Sequence, residues 1–443
     1  NIAIYSKLES IEDIAAYNII EGKDVSSQIE TNIVSPYLSS KVIGKAFFAD
    51  RKIVDRALES LNTYSLIWKN EDSIKRIEII NNFSNLLELN YLQLVSACVK
   101  EAGKTIPDAI ADIREAIDFC RYYCVLAKDL FQEIKLPGPT GEKNLYNFKG
   151  KGLSVVISPW NFPIAIFTGQ LVAALITGNV VLAKPAEQTS YCAYIVFKLL
   201  LKAGLPNKAA ALLLGKGEEI GPQLFFNKQL ESVIFTGSLE TAKNIQEQLA
   251  KRSDILNLIA ETGGLNCLIA DSSALTEHVV QDVVNSGFNS AGQRCSACRI
   301  LCVEEHVYKQ TLKMLKGAID TLEINNPEFL STDLGPVIDS SSKEKILNHI
   351  KSFSQTYQTK HIPEDGHFVS PTIIEISSLQ EIKEEIFGPV VHIISYKAKN
   401  TTQLCEEINE LGYGLTLGIH SRIDSMINLI IENVNIGNIY VNR

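Results

Sequence analysis

The spacing of apolar residues changes character twice along the chain, and the changes divide it. To about residue 135, apolar positions recur at three- and four-residue steps. Ile110, Ile113, Ile117, Cys120 and Cys124 are one such set, which lies on a single helix face. This first part reads as helical, with Cys120 and Cys124 as small core residues. The stretch "LPGPTGEKNLYNFKGKG" (136–152) breaks the period at Pro137 and Pro139 and reads as a turn-rich, strand-forming excursion. From residue 153 the apolar runs "LSVVIS" (153–158), "VVLAK" (180–184), "ALLL" (211–214) and "SVIF" (232–235) alternate with helical segments. Apolar strands alternating with helices predict a parallel sheet covered on both faces. A second α/β unit begins near residue 266 with "NCLIAD" and runs to about 440.

The longest apolar region, "IAIFTGQLVAALITGNVVLA" (164–183), holds Gln170 and a Gly178-Asn179 turn signal and runs into Lys184-Pro185. The pattern predicts a buried helix and a buried strand rather than a membrane span. Composition does not alter that picture: 443 residues, 46% hydrophobic and 21% charged, leave room for two or three domains with a real core. A formal net charge of −9 with no basic block argues against a nucleic-acid partner. Nine cysteines without the spacing of a disulfide scaffold, and no secretory signal, point to reduced thiols in the cytoplasm.

The segment "NSAGQRCSACRILC" (289–302) concentrates three of those cysteines. Gly292 frees the backbone to turn and Arg294 puts a cation beside Cys295, a setting that depresses a thiol pKa and favours the nucleophilic thiolate. Cys298 and Cys302 alternate into "ACRILCV" as a strand entering a core would. Zinc would want paired Cys-x-x-Cys units or nearby histidines, and the seven histidines are scattered away from Cys295. A redox pair of Cys295 and Cys298 stays open on spacing, although the site follows a helix instead of opening one. A cysteine nucleophile without a histidine needs another base. Glu261, in "AETGG" (260–264) after the apolar run "ILNLIA", is either a buried strand-end carboxylate of raised pKa, fit for a general base, or a surface cap. Asn161, in "SPWNFP" (158–163), can donate its amide to an oxyanion or simply shape a turn. "GKGEEIG" (215–221) approximates a dinucleotide fingerprint with one gap too long. "FTGSLETAKNIQEQLAK" (235–251) reads as strand, turn and amphipathic helix, whose positive N-terminus suits a pyrophosphate unless Ser238 is only an N-cap.

"SPWNFP", "KPAEQT", "FTGS", "ETGG", "GQRC" and "EIFGP" (385–389) stand in the order found in the aldehyde dehydrogenase superfamily, and the resemblance covers nearly the whole chain. "EAGKTIPDAIADIREAIDFCRYY" (101–123), "LPGPTGEKN", "AIFTGQ", "IAETGG" and "GQRCSA" resemble, more narrowly, the C-terminal dehydrogenase domain of bacterial proline utilisation A. That resemblance implies an α/β aldehyde dehydrogenase fold. Residues 1–135 would be the N-terminal helical part of the NAD-binding domain, 136–152 an oligomerisation flap segment, 153–265 a Rossmann-like core and 266–443 the catalytic domain. It implies NAD-dependent oxidation of L-glutamate γ-semialdehyde (Δ1-pyrroline-5-carboxylate) to L-glutamate, the second step of proline catabolism, through a thiohemiacetal and a thioester. Cys295 would be the nucleophile, Asn161 an oxyanion donor and Glu261 the base that activates water. Lys184 and Glu187 would hold the adenosine ribose, with Gly217 near the adenine. Thr236, Gly237 and Ser238 would meet the pyrophosphate, Glu385 would take the nicotinamide ribose, and Phe387 would flank the ring. A carboxylate at Glu187 repels a 2′-phosphate, which favours NAD over NADP. Ser296 would contact the substrate carboxylate, Phe162 would wall its aliphatic stem, and no metal is implied. The resemblance also implies a later Gly-rich anchor and a flap strand that these residues do not include. It further implies an upstream flavin-dependent proline dehydrogenase domain, homo-oligomers and membrane association through other parts. Another small aldehyde, or NAD binding without chemistry, are the competing readings.

Overall fold

Glu21 and Gly22 both take left-handed backbone, φ 53° and 73°, the pairing that a two-residue hairpin turn requires. They join β2 (Asn18–Ile20) to β3 (Lys23–Val25), while β1 (Ile14–Ala16), β4 (Ile29–Ser35) and β5 (Leu38–Phe48) form a sheet in the order β1-β5-β4. The segment 14–48 is thus strand where a helical reading was expected. Three of its five strands have only three residues, and the segment is pinned by close approach: a Cβ on Gly44 would stand 2.0 Å from the Ile14 carbonyl oxygen. The computed structural model describes residues 14–359 and 361–443, so positions 1–13 of the expected helical part lie outside the described residues. The helical period holds from Arg51 onward, in helices Arg51–Lys69, Ser73–Leu89, Tyr91–Ala102 and Ile106–Leu130. Asp50 and Asp72 cap the first two by accepting from the Ile53 and Ile74 N–H groups. Ile113, Ile117, Cys120 and Cys124 are buried on the fourth, and Ile110 is half-buried.

The chain forms two compact units. One comprises residues up to 35, 41–102 and 109–261, and the other comprises 36–40, 103–108 and 262–443. In the first unit, β6 (Ile134–Leu136) and β7 (Asn144–Tyr146) make a small antiparallel ribbon, Lys135 opposite Leu145, in the predicted strand-forming excursion. Its main sheet adds β8 (Leu153–Ser158), β9 (Val180–Pro185), β10 (Ala210–Leu212), β11 (Leu230–Gly237) and β12 (Asn257–Thr262), in the order β12-β11-β8-β9-β10-β2-β3. β11, β8, β9 and β10 run parallel, and β2 joins β10 antiparallel with Ile19 opposite Leu212. From β8 the chain goes one way to β9 and β10, then returns to the other side for β11. Strand order therefore reverses beside β8, and such a reversal opens a crevice at the strands' C-terminal ends.

The long apolar region resolves into helix Ala165–Ile176, a turn at Gly178 with φ 88°, and β9. The helix's last carbonyls are not left bare: Trp68 Nε1–H donates to Leu175 O at 3.1 Å and Arg76 Nε–H to Ile176 O at 2.9 Å. Among the described residues no helix is long and apolar enough to cross a membrane. β12 departs from expectation. It is an edge strand of the sheet, none of its residues is buried, and Ile259 is 54% exposed.

The second unit carries β13 (Asn266–Ala270), β14 (Cys298–Glu304), β15 (Thr356–Gln358), β16 (Thr372–Glu375), β17 (Val390–Tyr396), β18 (Thr416–His420) and β19 (Asn438–Val441). Their order is β15-β16-β17-β14-β13-β18-β19, parallel except at β15. β13 and β14 are buried along their whole length, and alternate side chains enter two cores. Cys267, Ile269, Ile300 and Cys302 pack on one face; Leu268, Ala270, Leu301 and Val303 pack on the other. Cys298 and Cys302 are core residues here.

Candidate active site

In the first unit the ends of three parallel strands line one cavity of about 500 Å³. Ile157 and Ser158 come from β8, Lys184 from β9, and Thr236 and Gly237 from β11. Glu187, Gly217 and Ser238 complete the lining, so the residues expected in this unit to hold the cofactor meet at one place. Lys184 is buried with its Nζ 3.3 Å from Glu187 Oε2. Burial lowers the pKa of this ammonium group and Glu187 works against that. A buried donor beside a half-exposed acceptor is a pairing that can take up neighbouring ribose hydroxyls. A Cβ on Gly217 would come within 4 Å of Lys184 Nζ alone, at 3.8 Å, so this wall is open. Gly237 has no such freedom, because a Cβ would lie 2.6 Å from the Phe235 ring. Helix Leu239–Leu249 brings its first turn to the wall, and Ser238 is its N-cap, accepting from the Thr241 N–H at 3.2 Å. The positive end of that helix favours an anion. Ser158 Oγ, buried in the wall, has no hydrogen-bond partner among the described residues, an unused group that a polar ligand would satisfy. Volume, donors and dipole together fit a dinucleotide.

Asn161 is buried and Phe162 half-buried in the bend between β8 and helix Ala165–Ile176, whose first N–H is held by Asp112 at 2.7 Å. Glu261 is exposed near the end of β12, so the burial expected to tune it is not found in this unit.

In the second unit the nucleophile candidate follows a left-handed turn. Ser290, Ala291 and Gly292 have φ of 55°, 52° and 67°, costing on the order of 1 kcal/mol or more for each of the two non-glycine residues. Their surroundings enforce it. Asp108 accepts from the Ser290 N–H at 3.1 Å and from Arg294 Nη2 at 2.7 Å, and Gln293 Oε1 accepts from the Ile338 N–H at 2.9 Å. A Cβ on Gly292 would stand 2.1 Å from Gly388 O. Asn266 then fixes the next residues, its amide donating to Cys295 O at 2.7 Å and Ala297 O at 2.9 Å. Cys295 is half-buried, while the other eight cysteines are buried. Ser296 is exposed and lines a cavity of about 610 Å³ with Asn289, Arg294 and Tyr440.

The expected electrostatics of Cys295 need correcting. Its thiol pKa is raised, first by burial and then by the Glu385 charge, against the Ser296 and Cys295 N–H groups and Arg299. Arg294 is committed to Asp108, and the cation that acts on the thiol is Arg299. Glu385 accepts from Arg299 Nη2 at 3.1 Å and from the Gly264 N–H, and Arg299 lies 5.2 Å from the centre of the Phe387 ring. Burial raises Glu385 and Arg299 opposes it. The glycines of "ETGG" leave room for side chains: a Cβ on Gly263 would be 1.6 Å from Glu385 Oε2, and one on Gly264 would be 2.5 Å from Asn266 Oδ1. Asn161, Phe162 and Glu261 belong to the first unit; Cys295, Ser296, Glu385 and Phe387 belong to the second. Sequence reasoning missed Asp108, Asn266 and Arg299. A lone arginine inside an apolar strand was the available signal for the last.

The aldehyde dehydrogenase family model matches residues 24–443. The chain is 43% identical over 432 residues to the bifunctional protein PutA of Escherichia coli, covering 93% of this chain and 31% of that protein. It is 34% identical over 435 residues to a 1-pyrroline-5-carboxylate dehydrogenase of Anoxybacillus flavithermus, covering 96% and 84%. The chain thus spans about a third of the PutA relatives it matches. Among solved structures, proline utilization A from Bdellovibrio bacteriovorus superposes with a TM-score of 0.96 at 32% identity, covering all of this chain and 47% of that one. The 1-pyrroline-5-carboxylate dehydrogenase from Thermus with bound NAD superposes at 0.95 and 30% identity, covering 100% and 88%. With the fold, the switch-point cavity and the ordered motifs in place, the chain belongs to the aldehyde dehydrogenase family.

Proposed function

We propose that this chain oxidises L-glutamate γ-semialdehyde to L-glutamate with NAD. The observation that carries the reading is the joint placement of Lys184, Glu187, Gly217, Thr236, Gly237 and Ser238 around the switch-point cavity, together with a single half-buried thiol on a braced turn. The relatives named 1-pyrroline-5-carboxylate dehydrogenase supply the substrate. Cys295 Sγ bonds to the aldehyde carbon, and the Asn161 amide and the Cys295 N–H carry the oxyanion. NAD, when bound, accepts the hydride that leaves that carbon. Glu261 takes a proton from the water that releases glutamate and frees the thiol. Ser296 holds the substrate carboxylate and Phe162 its aliphatic stem. Residues 153–265 form the core of the NAD-binding part and 266–443 the catalytic part. An upstream flavin-dependent proline dehydrogenase domain supplies the semialdehyde in the cytoplasm, and β6 and β7 serve a homo-oligomer.

The test is NADH absorbance with glutamate γ-semialdehyde, for the chain and for Cys295→Ala, beside calorimetric NAD binding. Turnover in the first and none in the variant, with NAD affinity unchanged, is the expected result. NAD binding without turnover of this aldehyde by the unsubstituted chain would overturn the substrate assignment.

A further inference from the structure

Arg299 is 1% exposed, in a strand whose seven residues are all buried. Placing a guanidinium there costs several kcal/mol unless it is paired and its N–H groups are used. Its two terminal nitrogens divide four bonds evenly between two loops, while the buried Nε has no hydrogen-bond partner among the described residues. Toward the turn before the nucleophile, Nη1 donates to Gly292 O at 2.6 Å and Nη2 to Arg294 O at 2.9 Å. Toward the "EIFGP" loop, Nη1 donates to Gly388 O at 3.2 Å and Nη2 to Glu385 Oε1 at 3.1 Å, with the Phe387 ring nearby. The loops also touch directly, at Gly292 and Gly388. Only a flat, forked cation reaches four acceptors in this way; an ammonium cannot.

Resting on the proposed NAD-dependent reaction, we infer that Arg299 is a positioning residue, which clamps the nucleophile turn to the "EIFGP" loop and sets where the Glu385 carboxylate stands for the cofactor. Glu385 also accepts from the Gly264 N–H, has Gly263 against its carboxylate, and interacts electrostatically with Cys295, Lys345 and Tyr413. The role is distinct from merely filling the core, because a structural cost would act independently of Glu385, whereas a positioning cost must vanish when Glu385 can no longer use its position.

The experiment is a double-mutant cycle on Arg299→Lys and Glu385→Gln, reading the Kd for NAD by calorimetry together with kcat and KM, with thermal melting as the check on the fold. Each single variant is expected to weaken NAD binding about tenfold or more, and the double variant to be no worse than the weaker single. Costs that multiply in the double variant would overturn the inference. Should Arg299→Lys lose the fold, Glu385→Asp carries the test, since it keeps the charge but withdraws it by one methylene. It is expected to match Glu385→Gln, and NAD affinity near that of the unsubstituted chain would overturn the positioning role. Failure of the unsubstituted chain to oxidise the aldehyde while binding NAD would count against the proposed function alone, because the affinity cycle still decides the role of Arg299.

Discussion

At Gly292 a left-handed φ of 67° coincides with a carbonyl, Gly388 O, 2.1 Å from where a Cβ would stand. Neither atom belongs to a movable side chain. Gly292→Ala is expected to cost about 2–4 kcal/mol of stability, read by denaturant unfolding, and to displace Cys295. Gly263 makes a contrast. There the clash would be with the Glu385 carboxylate, the far end of a flexible side chain. Gly263→Ala should therefore melt within a few degrees of the unsubstituted chain yet bind NAD more weakly by calorimetry. The thiol offers a pH test. With its pKa raised above the usual value of 9.0, Cys295 alkylation by iodoacetamide should still be accelerating at pH 9, and Glu385→Gln should move the inflection to lower pH by removing a negative neighbour. At this scale the motif residues were legible one by one. The partner of each charge was not: Arg294 is adjacent to Cys295 in sequence but spends itself on Asp108, which sequence distance hides.

The elements read well where apolar runs are long. β8 and β9 are buried throughout or nearly so, and their runs have no polar alternation. β1 to β5 were missed because most are short and because the hairpin turn at Glu21 and Gly22 lacks the Asn-Gly signature. β12 misled in the opposite direction, since its apolar residues suggested a buried strand but it lies at the sheet's edge. Helix Ser190–Lys202 carries a further prediction. Its first N–H groups, of Tyr191 and Cys192, donate to buried Glu101 at 2.8 and 2.7 Å, and burial pushes that carboxyl up to about 7. A pKa raised from 4.5 means that the carboxyl's stabilising contribution is complete below that value and is lost as pH rises through about 7. Between about pH 5 and about pH 8 the melting temperature should fall more for the unsubstituted chain than for Glu101→Gln, which has no proton to lose.

For the molecule as a whole, alternating strands and helices made the parallel sheets legible, but not their edges, because an edge is defined by what fails to pair. Ile134, Leu136, Leu145 and Tyr146 stand exposed on the β6–β7 ribbon, and a two-stranded ribbon of that kind gains by further pairing. If this ribbon serves the proposed homo-oligomer, Leu136→Lys combined with Leu145→Lys should reduce the sedimenting mass without lowering the melting temperature of the subunit. Among the strand pairings of the described residues, the antiparallel junction of β2 with β10 has the largest sequence separation, setting Ile19 against Leu212. A ribosome delivers the β2–β3 hairpin before its partner strand, which comes only after β8 and β9 have been made. This hairpin must therefore wait for its place while most of the first unit is synthesised, and its docking is a late, long-range closure whose rate is limited by chain entropy rather than by local preference.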